Sequence, residues 1–314
     1  MKKHHLIIDG NSLGYFANSG KKLSIGELQV QAIYNFLRTL RQVYALHQHY
    51  NVIILWDGLS WRHQIRSDYK EHRDVVEKLY QIKQAAAKDA YRKQVPYIKQ
   101  ALGYIGVPQI SAANMEADDL AAIFTDKFTA RGETVKLMTG DKDWLQLVGP
   151  NVTWHDFINK RTVTHKNFEE FTGVATSRQF VEVKALAGDD GDLGKGSGVG
   201  GIGEKGAKDF LNKYGSFTDF INMVCLEKSI DFNKLPKKLK ALVEDEQKAL
   251  KFQENILLMD LRTAARPAPT GMTLDKGVPS HHKMERFCET LLFKSILQEF
   301  DDWLRVFPAF NPTT

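Results

Sequence analysis

Two short runs of branched apolar residues, each stopping at an aspartate, constrain the fold of this chain most strongly. "HLII" stops at Asp9 and "NVIILW" stops at Asp57, and an Asp-Gly turn signal follows both runs. Between them, apolar residues recur at helical spacing: Ile33, Phe36, Leu37, Leu40, Val43 and Tyr44. A helix that joins two strands in this way predicts a βαβ unit and therefore a parallel sheet.

The same pattern recurs in the next part of the chain. "EADDLAAIFTDKF" predicts a helix, "TVKLM" predicts a strand that is followed by Asp141 and Asp143, and "NVTWHDF" predicts a further strand. In open parallel sheets, ligands bind beyond the carboxyl ends of the strands. We therefore expect Asp9, Asp57, Asp141 and Asp143 to converge on one crevice.

Further acids stand at the start of the predicted helix, at Glu116, Asp118 and Asp119. Carboxylates held a few ångströms apart repel one another unless a cation lies between them. Because no histidine or cysteine motif accompanies these acids, the oxygen-rich set predicts magnesium or manganese rather than zinc. Such ions favour phosphate as a further ligand, and a pair of them requires no side-chain base. The acids therefore predict a phosphate-processing site.

The charge balance indicates a polyanionic partner. The net charge is only +5, so acids gathered in one pocket leave the remaining surface strongly basic. Cys225 and Cys288 show no metal or redox spacing, which favours reduced thiols. The chain contains neither a membrane-spanning apolar run nor a signal-peptide core, so we expect a cytoplasmic protein with no membrane partner.

The segment 74–104 is rich in alanine, lysine and glutamine and predicts a helix with a break or kink at Pro96. Its basic residues include Lys83, Lys88, Arg92 and Lys93. Two interpretations remain open, a solvated helix face or a basic element above the crevice.

A glycine-rich stretch at 188–212 leads into a helix that begins near Lys205. No strand precedes its G-x-G-x-x-G pattern, and Glu204 stands where a P-loop lysine would follow Gly203, so neither nucleotide-binding motif applies. We expect a turn between two helices whose backbone N–H groups meet a phosphate, with a flexible linker as the alternative. The residues of this predicted contact are Gly198, Gly201, Gly203, Lys205 and Lys208.

Seven motifs in order resemble the bacteriophage 5′ nucleases of the flap endonuclease / 5′→3′ exonuclease family, over residues 5 to 262. They are "IIDGNSL", "LWDG", "WRHQIRSDYKEHR", "MEADDLAA", "TGDKDWLQL", "ALAGDDGDLGKGSGVGGIGEKGA" and "ILLMDL". The resemblance implies an α/β core over 1–175, with a PIN-like, mainly parallel sheet flanked by helices. It also implies a helical arch at 70–104 and a helical DNA-binding region of helix-hairpin-helix type over 176–314.

The resemblance assigns roles to particular residues. It implies two Mg²⁺ (or Mn²⁺) ions held by Asp9, Asp57, Glu116, Asp118, Asp119, Asp141, Asp143, Asp189 and Asp192. Lys70 and Arg73 match the pair that contacts the scissile phosphate, with Arg62 assisting, and Tyr69 matches a residue that stacks on a terminal base. The basic arch passes a 5′ single strand, and the glycine turn grips duplex DNA with K⁺ held by its carbonyls.

The implied activity is that of a monomeric, magnesium-dependent nuclease acting on DNA with a 5′ flap, nick or free 5′ end, in the cytoplasm of a bacterial host. Removal of RNA primers from an RNA/DNA hybrid and a catalytically silent nucleic-acid-binding protein remain alternatives. A phosphatase of the haloacid dehalogenase type is disfavoured, because Asn11 stands where its second aspartate belongs. The chain departs from the family pattern at Leu193, where asparagine is usual, and in a longer glycine loop.

Overall fold

The computed structural model describes residues 3–70 and 78–311. The strands of these residues are β1 (His4–Asp9), β2 (Ser24–Ile25), β3 (Leu28–Gln29), β4 (Tyr50–Leu55), β5 (Gln109–Ser111), β6 (Thr134–Met138), β7 (Val152–Asp156), β8 (Arg161–Val163) and β9 (Thr273–Asp275). Seven of them form one sheet in the order β8-β7-β6-β1-β4-β5-β9, while β2 and β3 form a separate antiparallel pair.

The five inner strands of the large sheet are parallel, and the two edge strands are antiparallel to their neighbours. The central strand β1 pairs on one side with β4 and on the other with β6, so that Leu6 lies opposite both Val52 and Lys136. The predicted parallel sheet is confirmed. Its carboxyl edge lies where Asp9, Asp57 and Asp141 follow their strands.

The helices of the described residues connect and cover this sheet. They are α1 (Gly10–Asn18), α2 (Gln31–Leu46), α3 (Lys78–Tyr104), α4 (Ala117–Thr129), α5 (Phe168–Thr172), α6 (Ser177–Ala187), α7 (Glu204–Tyr214), α8 (Phe217–Cys225), α9 (Lys237–Glu244), α10 (Glu246–Met259), α11 (His281–Thr290), α12 (Lys294–Leu297) and α13 (Phe300–Leu304). Short 3₁₀ turns lie at Trp61–Gln64, Lys142–Leu147, Phe232–Lys234 and Pro308–Phe310.

The two faces of the sheet bury separate cores, because successive side chains of a strand point to opposite faces. Ile7 of β1 packs into a core shared with α4 and with α5 to α10. Leu6 and Ile8 pack into a second core shared with α1, α2, α3 and α11 to α13. The molecule is thus a sheet between two helical layers.

The helix α3 continues through Pro96, which corrects the predicted break there. Proline removes one backbone hydrogen bond, but tertiary packing of a helix outweighs a local penalty of this size. Tyr91, Ile98 and Leu102 on either side of Pro96 are buried in the second core and hold the helix together. The predicted arch begins at residue 70, and its residues 71–77 lie outside the described residues.

The end of the chain, for which the sequence provides no motif, is part of the core. β9 pairs with β5 and forms one edge of the sheet, and Met284, Ile296 and Trp303 pack in the second core. We propose that the helical region that follows residue 175 ends near residue 262, and that the tail belongs structurally to the sheet.

None of the helices within residues 3–70 and 78–311 combines the length and apolarity needed to cross a bilayer.

Candidate metal and nucleic-acid site

A cavity of about 360 Å³ opens at the carboxyl edge of the sheet, where the sequence predicts the acids to meet. Its acidic lining comes from four chain segments and comprises Asp9, Asp57, Glu116, Asp118 and Asp141. Lys70 contributes a cation to the same cavity, and Tyr15, Phe16 and Ile158 form an apolar rim. The structure therefore brings five of the nine predicted acids together in this cavity.

Asp9 and Asp57 are held by neutral donors. Asp9 ends β1 and accepts hydrogen bonds from the Ser12 backbone N–H at 2.9 Å and the Thr139 hydroxyl at 2.8 Å. Asp57 accepts from the Asn11 amide at 2.5 Å and from the Ala117 N–H, the first of α4, at 2.8 Å. Burial and the charge of Asp57 raise the pKa of Asp9 to about 7.

The start of α4 supplies two further acids to the cavity. Asp118 accepts a hydrogen bond from the Trp144 indole at 2.6 Å. Burial, followed by the charge of Asp141, raises the pKa of Asp118 well above its usual range. Glu116 differs, because the charges of Lys70 and Arg62 outweigh its burial and lower its pKa. The start of α4 thus carries one carboxyl group whose charge is balanced by nearby cations, that of Glu116, and one whose charge is not, that of Asp118.

Asp141 follows β6 and lies between two cavities. Its side chain accepts from the Asp143 backbone N–H at 2.8 Å and caps the 3₁₀ turn that follows. Burial and the charge of Asp143 raise the pKa of Asp141 to about 6. Asp9, Asp57, Asp118 and Asp141 all show raised pKa values, which indicates a crevice short of positive charge.

Lys70 connects the acids of the first cavity to the glycine-rich region. Its ammonium lies 2.5 Å from Glu116 and 4.0 Å from Asp192, and its backbone N–H donates to the Asp192 carbonyl. Lys70 has a φ of 64°, in the left-handed region that non-glycine residues rarely adopt. The loop is therefore held in an uncommon conformation that points a cation at the acids.

Three of the four remaining predicted acids line an adjacent cavity of about 710 Å³, which shares Gly140 and Asp141 with the first. They are Asp143, Asp189 and Asp192, and Glu204 and Lys208 also line this cavity. The Lys184 ammonium forms ion pairs with Asp143 and, at 2.9 Å, with Asp189. No motif in the sequence predicted a role for Lys184. Lys184 lies on α6, one helical turn and a loop before Asp189. This spacing is the signal in the sequence that could have indicated the ion pair.

Asp119 is the predicted metal ligand that the structure removes from the crevice. Its side chain is 0 % exposed and forms a bidentate pair with the Arg62 guanidinium at 2.9 and 3.0 Å. Arg62 is itself 1 % exposed and also donates to the Leu258 carbonyl at 2.7 Å. Neither side chain faces the crevice in this structure, so the metal role of Asp119 and the phosphate role of Arg62 gain no support from the geometry and stay predictions. The pair fixes α4 to α10.

Tyr69 is also buried, with 3 % of its surface exposed, so its ring is not available to stack on a base in this structure. It packs with Leu193, Leu258 and Met259, and its hydroxyl donates to Asp192 at 3.3 Å. Leu193, the departure from the family pattern, thus fills an apolar cluster below the loop that carries Lys70. Tyr69 supports that loop in place of the predicted stacking contact.

The predicted basic residues of the arch differ in how far the structure describes them. Arg73 lies outside the described residues, and Lys83 lies in the first part of α3. Arg92 and Lys93 are exposed on α3, Lys88 is half-buried, and Lys93 pairs with Asp89 at 2.8 Å. None of these described basic groups lines either acidic cavity.

The glycine turn lies between α6 and α7, as the sequence predicts. Gly203 immediately precedes α7, Gly201 has a φ of 76°, and Gly198 packs so closely that an added Cβ would lie 2.3 Å from the Ala187 carbonyl oxygen. Lys205 is exposed, and Lys208 pairs with Glu204 at 2.6 Å. The turn stands beside the second acidic cavity.

The donor set fits hard divalent ions, although the acids are not arranged as a finished ligand set. No group of three or more Asp, Glu, His or Cys side chains within residues 3–70 and 78–311 is positioned to hold an ion as it stands. Lys70 and Lys184 already pair with acids of both cavities. The four carboxyl groups with raised pKa values are therefore the candidate ligands for an ion. Carboxylate oxygens are the ligands that Mg²⁺ and Mn²⁺ favour.

A comparison with solved structures defines the class of protein to which this fold belongs. The chain superposes on the flap endonuclease of bacteriophage T5, solved as a pseudo-enzyme–product complex with DNA and metal ions, with a TM-score of 0.63. The match covers 97 % of this chain and 99 % of that one at 21 % identity, so it establishes the fold alone. The fold is that of a 5′ nuclease.

The chain belongs to the 5′–3′ exonuclease family. The family model for the 5′-3′ exonuclease N-terminal resolvase-like domain matches residues 4–173, more than half of the chain. A 5′-3′ exonuclease of Aquifex aeolicus (strain VF5) is 28 % identical over 305 residues, covering 95 % of this chain and 96 % of that protein. The thermostable DNA polymerase I of Thermus thermophilus is 29 % identical over 305 residues, and the chain spans 33 % of its length.

Proposed function

We propose that this protein is a structure-specific, divalent-metal-dependent 5′ nuclease that hydrolyses phosphodiester bonds of DNA at 5′ flaps, nicks or primer ends. The observation that carries the proposal is the cavity at the carboxyl edge of the sheet. There Asp9, Asp57, Asp118 and Asp141 meet without a matching set of positive charges. A substrate that arrives with phosphate oxygens and divalent ions supplies what this cavity lacks.

We assign two Mg²⁺ (or Mn²⁺) ions to the crevice. Asp9, Asp57, Glu116, Asp118 and Asp141 would hold ions in the first cavity, and Asp143, Asp189 and Asp192 would do so in the second. When bound, such ions lower the pKa of a water nucleophile and stabilise the attacking and leaving oxygens of an in-line displacement. The neutral donors Asn11, Ser12, Thr139 and Trp144 orient the carboxylates toward the cavity.

The positive groups of the crevice bind and position the phosphate. Lys70, already held beside Glu116, offers an ammonium to a phosphate oxygen in the first cavity. Lys184 occupies the corresponding place in the second cavity, between Asp143 and Asp189. We assign Arg73 to the same phosphate, as its motif position implies.

Duplex DNA is proposed to lie across the glycine turn, which presents backbone N–H groups near Lys205 and Lys208. Contacts of this kind fix the register of a duplex without reading its sequence. The exposed basic residues Arg92 and Lys93 of α3 would meet a 5′ single strand. Contacts to the nucleic-acid backbone also accommodate an RNA/DNA hybrid. Preferential cutting of such a hybrid is therefore one outcome of the experiment below.

The proposal is tested with a duplex that carries a 5′ flap and a 3′ label, with and without magnesium. We expect magnesium-dependent cutting near the flap junction that Asp118→Asn and Lys70→Ala reduce by on the order of a hundredfold or more. Asp302→Asn and Lys166→Ala remove the same charges at exposed sites away from the crevice and should leave cutting unchanged.

Two other outcomes identify the competing functions. Tight binding without cutting in any divalent metal would replace the proposal with a silent nucleic-acid-binding protein. Cutting of an RNA/DNA hybrid in clear preference to the DNA flap would assign the site to RNA-primer removal.

A further inference from the structure

The glycine turn between α6 and α7 is the place where the family resemblance implies a potassium ion. Backbone carbonyls bind K⁺ by replacing its hydration shell, so several of them must remain free to point at one position. In this chain the carbonyls of Ser197, Val199 and Gly200 in the turn already have donors from one neighbouring helix, α10.

Lys248, in the first turn of α10, supplies the positive charge. Its ammonium donates to the carbonyl of Val199 at 2.6 Å and lies 3.3 Å from that of Gly200. Gly200 has a φ of 85°, and an added Cβ there would lie 3.0 Å from the Lys248 Nζ. Among the described residues, Lys248 forms no ion pair with a carboxylate, so its charge is directed at the turn.

Asn255 lies seven residues further along α10, two turns on and therefore on the same face. Its side chain is fully buried, and its amide donates to the carbonyls of Ala185 and Ser197, each at 2.8 Å. The Val199 N–H adds a bond to the Leu186 carbonyl at 3.0 Å. One face of α10 thus satisfies carbonyls at the end of α6 and along the turn.

We infer that the ammonium of Lys248 takes the place of a monovalent cation in the glycine turn, so that this chain needs no K⁺ there. A lysine ammonium is a compact charge with three donors, which suits carbonyl oxygens around one point. The residues present therefore do not fit the potassium ion that the resemblance implies. Lys248 is a positioning residue that keeps the turn ready for a phosphate backbone, and this last role rests on the proposed function.

The first experiment needs no DNA and compares thermal unfolding in KCl and NaCl at equal ionic strength. We expect the wild-type Tm to be the same in both salts. Lys248→Ala should lower the Tm and should regain more of it in KCl than in NaCl, because the vacated carbonyls then accept the larger ion. Lys251→Ala removes the same charge one turn along α10, where Lys251 only pairs with Glu254, and should show no salt preference.

The second experiment measures binding of a flap duplex by fluorescence anisotropy in EDTA, which prevents cutting. The wild type should bind equally in the two salts, whereas Lys248→Ala should bind on the order of tenfold more weakly in NaCl and recover in KCl. Lys251→Ala should weaken binding equally in both salts. A wild type that responds to K⁺, or a Lys248→Ala variant that does not, overturns the inference.

The two experiments separate this inference from the proposed function. If the thermal pattern holds but the protein neither binds nor cuts the flap duplex, Lys248 still replaces the cation while the nuclease proposal fails. If flap cutting depends on magnesium but the wild-type Tm rises specifically in KCl, the nuclease proposal stands and the lysine inference fails.

Discussion

At the scale of single residues, the crevice contains two kinds of carboxylate. Glu116, Asp143 and Asp189 pair with basic side chains of the protein itself. Asp9, Asp57, Asp118 and Asp141 accept hydrogen bonds from neutral donors, and their pKa values are raised first by burial and then by neighbouring carboxylates. Carboxylates of this second kind lack a matching positive charge, which a proton or an added cation supplies.

The raised pKa values lead to a prediction about magnesium and pH. Asp9 and Asp141, with pKa values of about 7 and 6, hold protons in the folded protein that they lose when it unfolds. Their contribution to stability therefore falls as pH rises from about 4 to 7. Magnesium competes with these protons, so it should raise the Tm more at pH 8 than at pH 6.

Scanning fluorimetry with and without magnesium at the two pH values measures this difference. At a hundredfold excess over Kd, bound ligand stabilises a fold by about 2.7 kcal/mol. Asp118→Asn should diminish the magnesium effect, and Asp302→Asn should not. Equal shifts at pH 6 and pH 8 would show that these carboxyl groups are not where magnesium binds.

Arg62 provides a prediction about stability. Arg62→Met leaves the fully buried Asp119 without its partner, which typically costs about 3–5 kcal/mol. Arg305→Met breaks a pair with Asp302 in which both side chains are exposed, and it should cost less than about 1 kcal/mol. Urea unfolding of the two variants measures both costs. If the Arg62→Met protein is stable but loses DNA affinity, the result would support the predicted contact between Arg62 and DNA.

The sequence predicted which acids follow strands, because a strand end is a local feature. It could not separate Asp119 from Asp118, although they are adjacent, because helix geometry turns neighbouring side chains about 100° apart. Only the tertiary position of Arg62 assigns one to the core and the other to the cavity. The ion pair of Lys184 with Asp189 was missed for the same reason, since a lysine on a helix gives no sign of which acid it meets.

At the scale of elements, the glycine turn is the connection whose geometry is most sensitive to substitution. Gly198→Ala would place a Cβ 2.3 Å from the Ala187 carbonyl oxygen, which backbone atoms cannot relieve without moving. Overpacking of this kind costs about 1–3 kcal/mol. Nothing lies within 4 Å of a Cβ at Gly203, where φ is −87°. Gly203→Ala should therefore cost under about 1 kcal/mol, chiefly through the helix cap.

Urea unfolding and flap-duplex anisotropy distinguish these two variants. Gly198→Ala should lose stability and DNA affinity together, whereas Gly203→Ala should retain its stability. If Gly198→Ala keeps its DNA affinity while losing stability, the turn is structural and the duplex lies elsewhere.

The elements that the sequence predicted are those whose pattern is local and strong. β1, β4, β6, β7, α2 and α4 all fall where their apolar periodicity indicates. The edge strand β9 is exposed throughout, so it carries no alternation that could mark it, and it pairs with β5 more than 150 residues away in sequence. The predicted break at Pro96 does not occur, because burial of residues on both sides of it outweighs the local penalty.

At the scale of the whole molecule, one core lies on each face of the large sheet. The site lies at the carboxyl edge of that sheet. The first core joins the sheet to the helices that carry the glycine turn, so the crevice and the proposed duplex contact are held by continuous packing. The second core joins the sheet to α3 and to the C-terminal helices. Support for the basic helix therefore comes from a tail in which the sequence shows no motif.

Trp303 tests whether that tail is part of the folded core. It lies in α13, is 6 % exposed and packs against Phe307 with ring centres 5.2 Å apart. Trp303→Ala should cost about 3–5 kcal/mol, as truncation of a buried aromatic side chain usually does. Val278→Ala, at an exposed position of the same tail, should change the free energy of unfolding by less than about 0.5 kcal/mol.

Urea unfolding followed by far-UV circular dichroism measures both variants without relying on tryptophan emission. Since Trp303 lies in the core opposite the helices of the glycine turn, the folded Trp303→Ala protein should still bind the flap duplex in low urea. Equal stabilities for the two variants would mean that the tail only rests on the sheet. A large loss of stability with a single unfolding transition would mean that tail, sheet and α3 fold as one cooperative unit, and that the basic helix is positioned by the end of the chain.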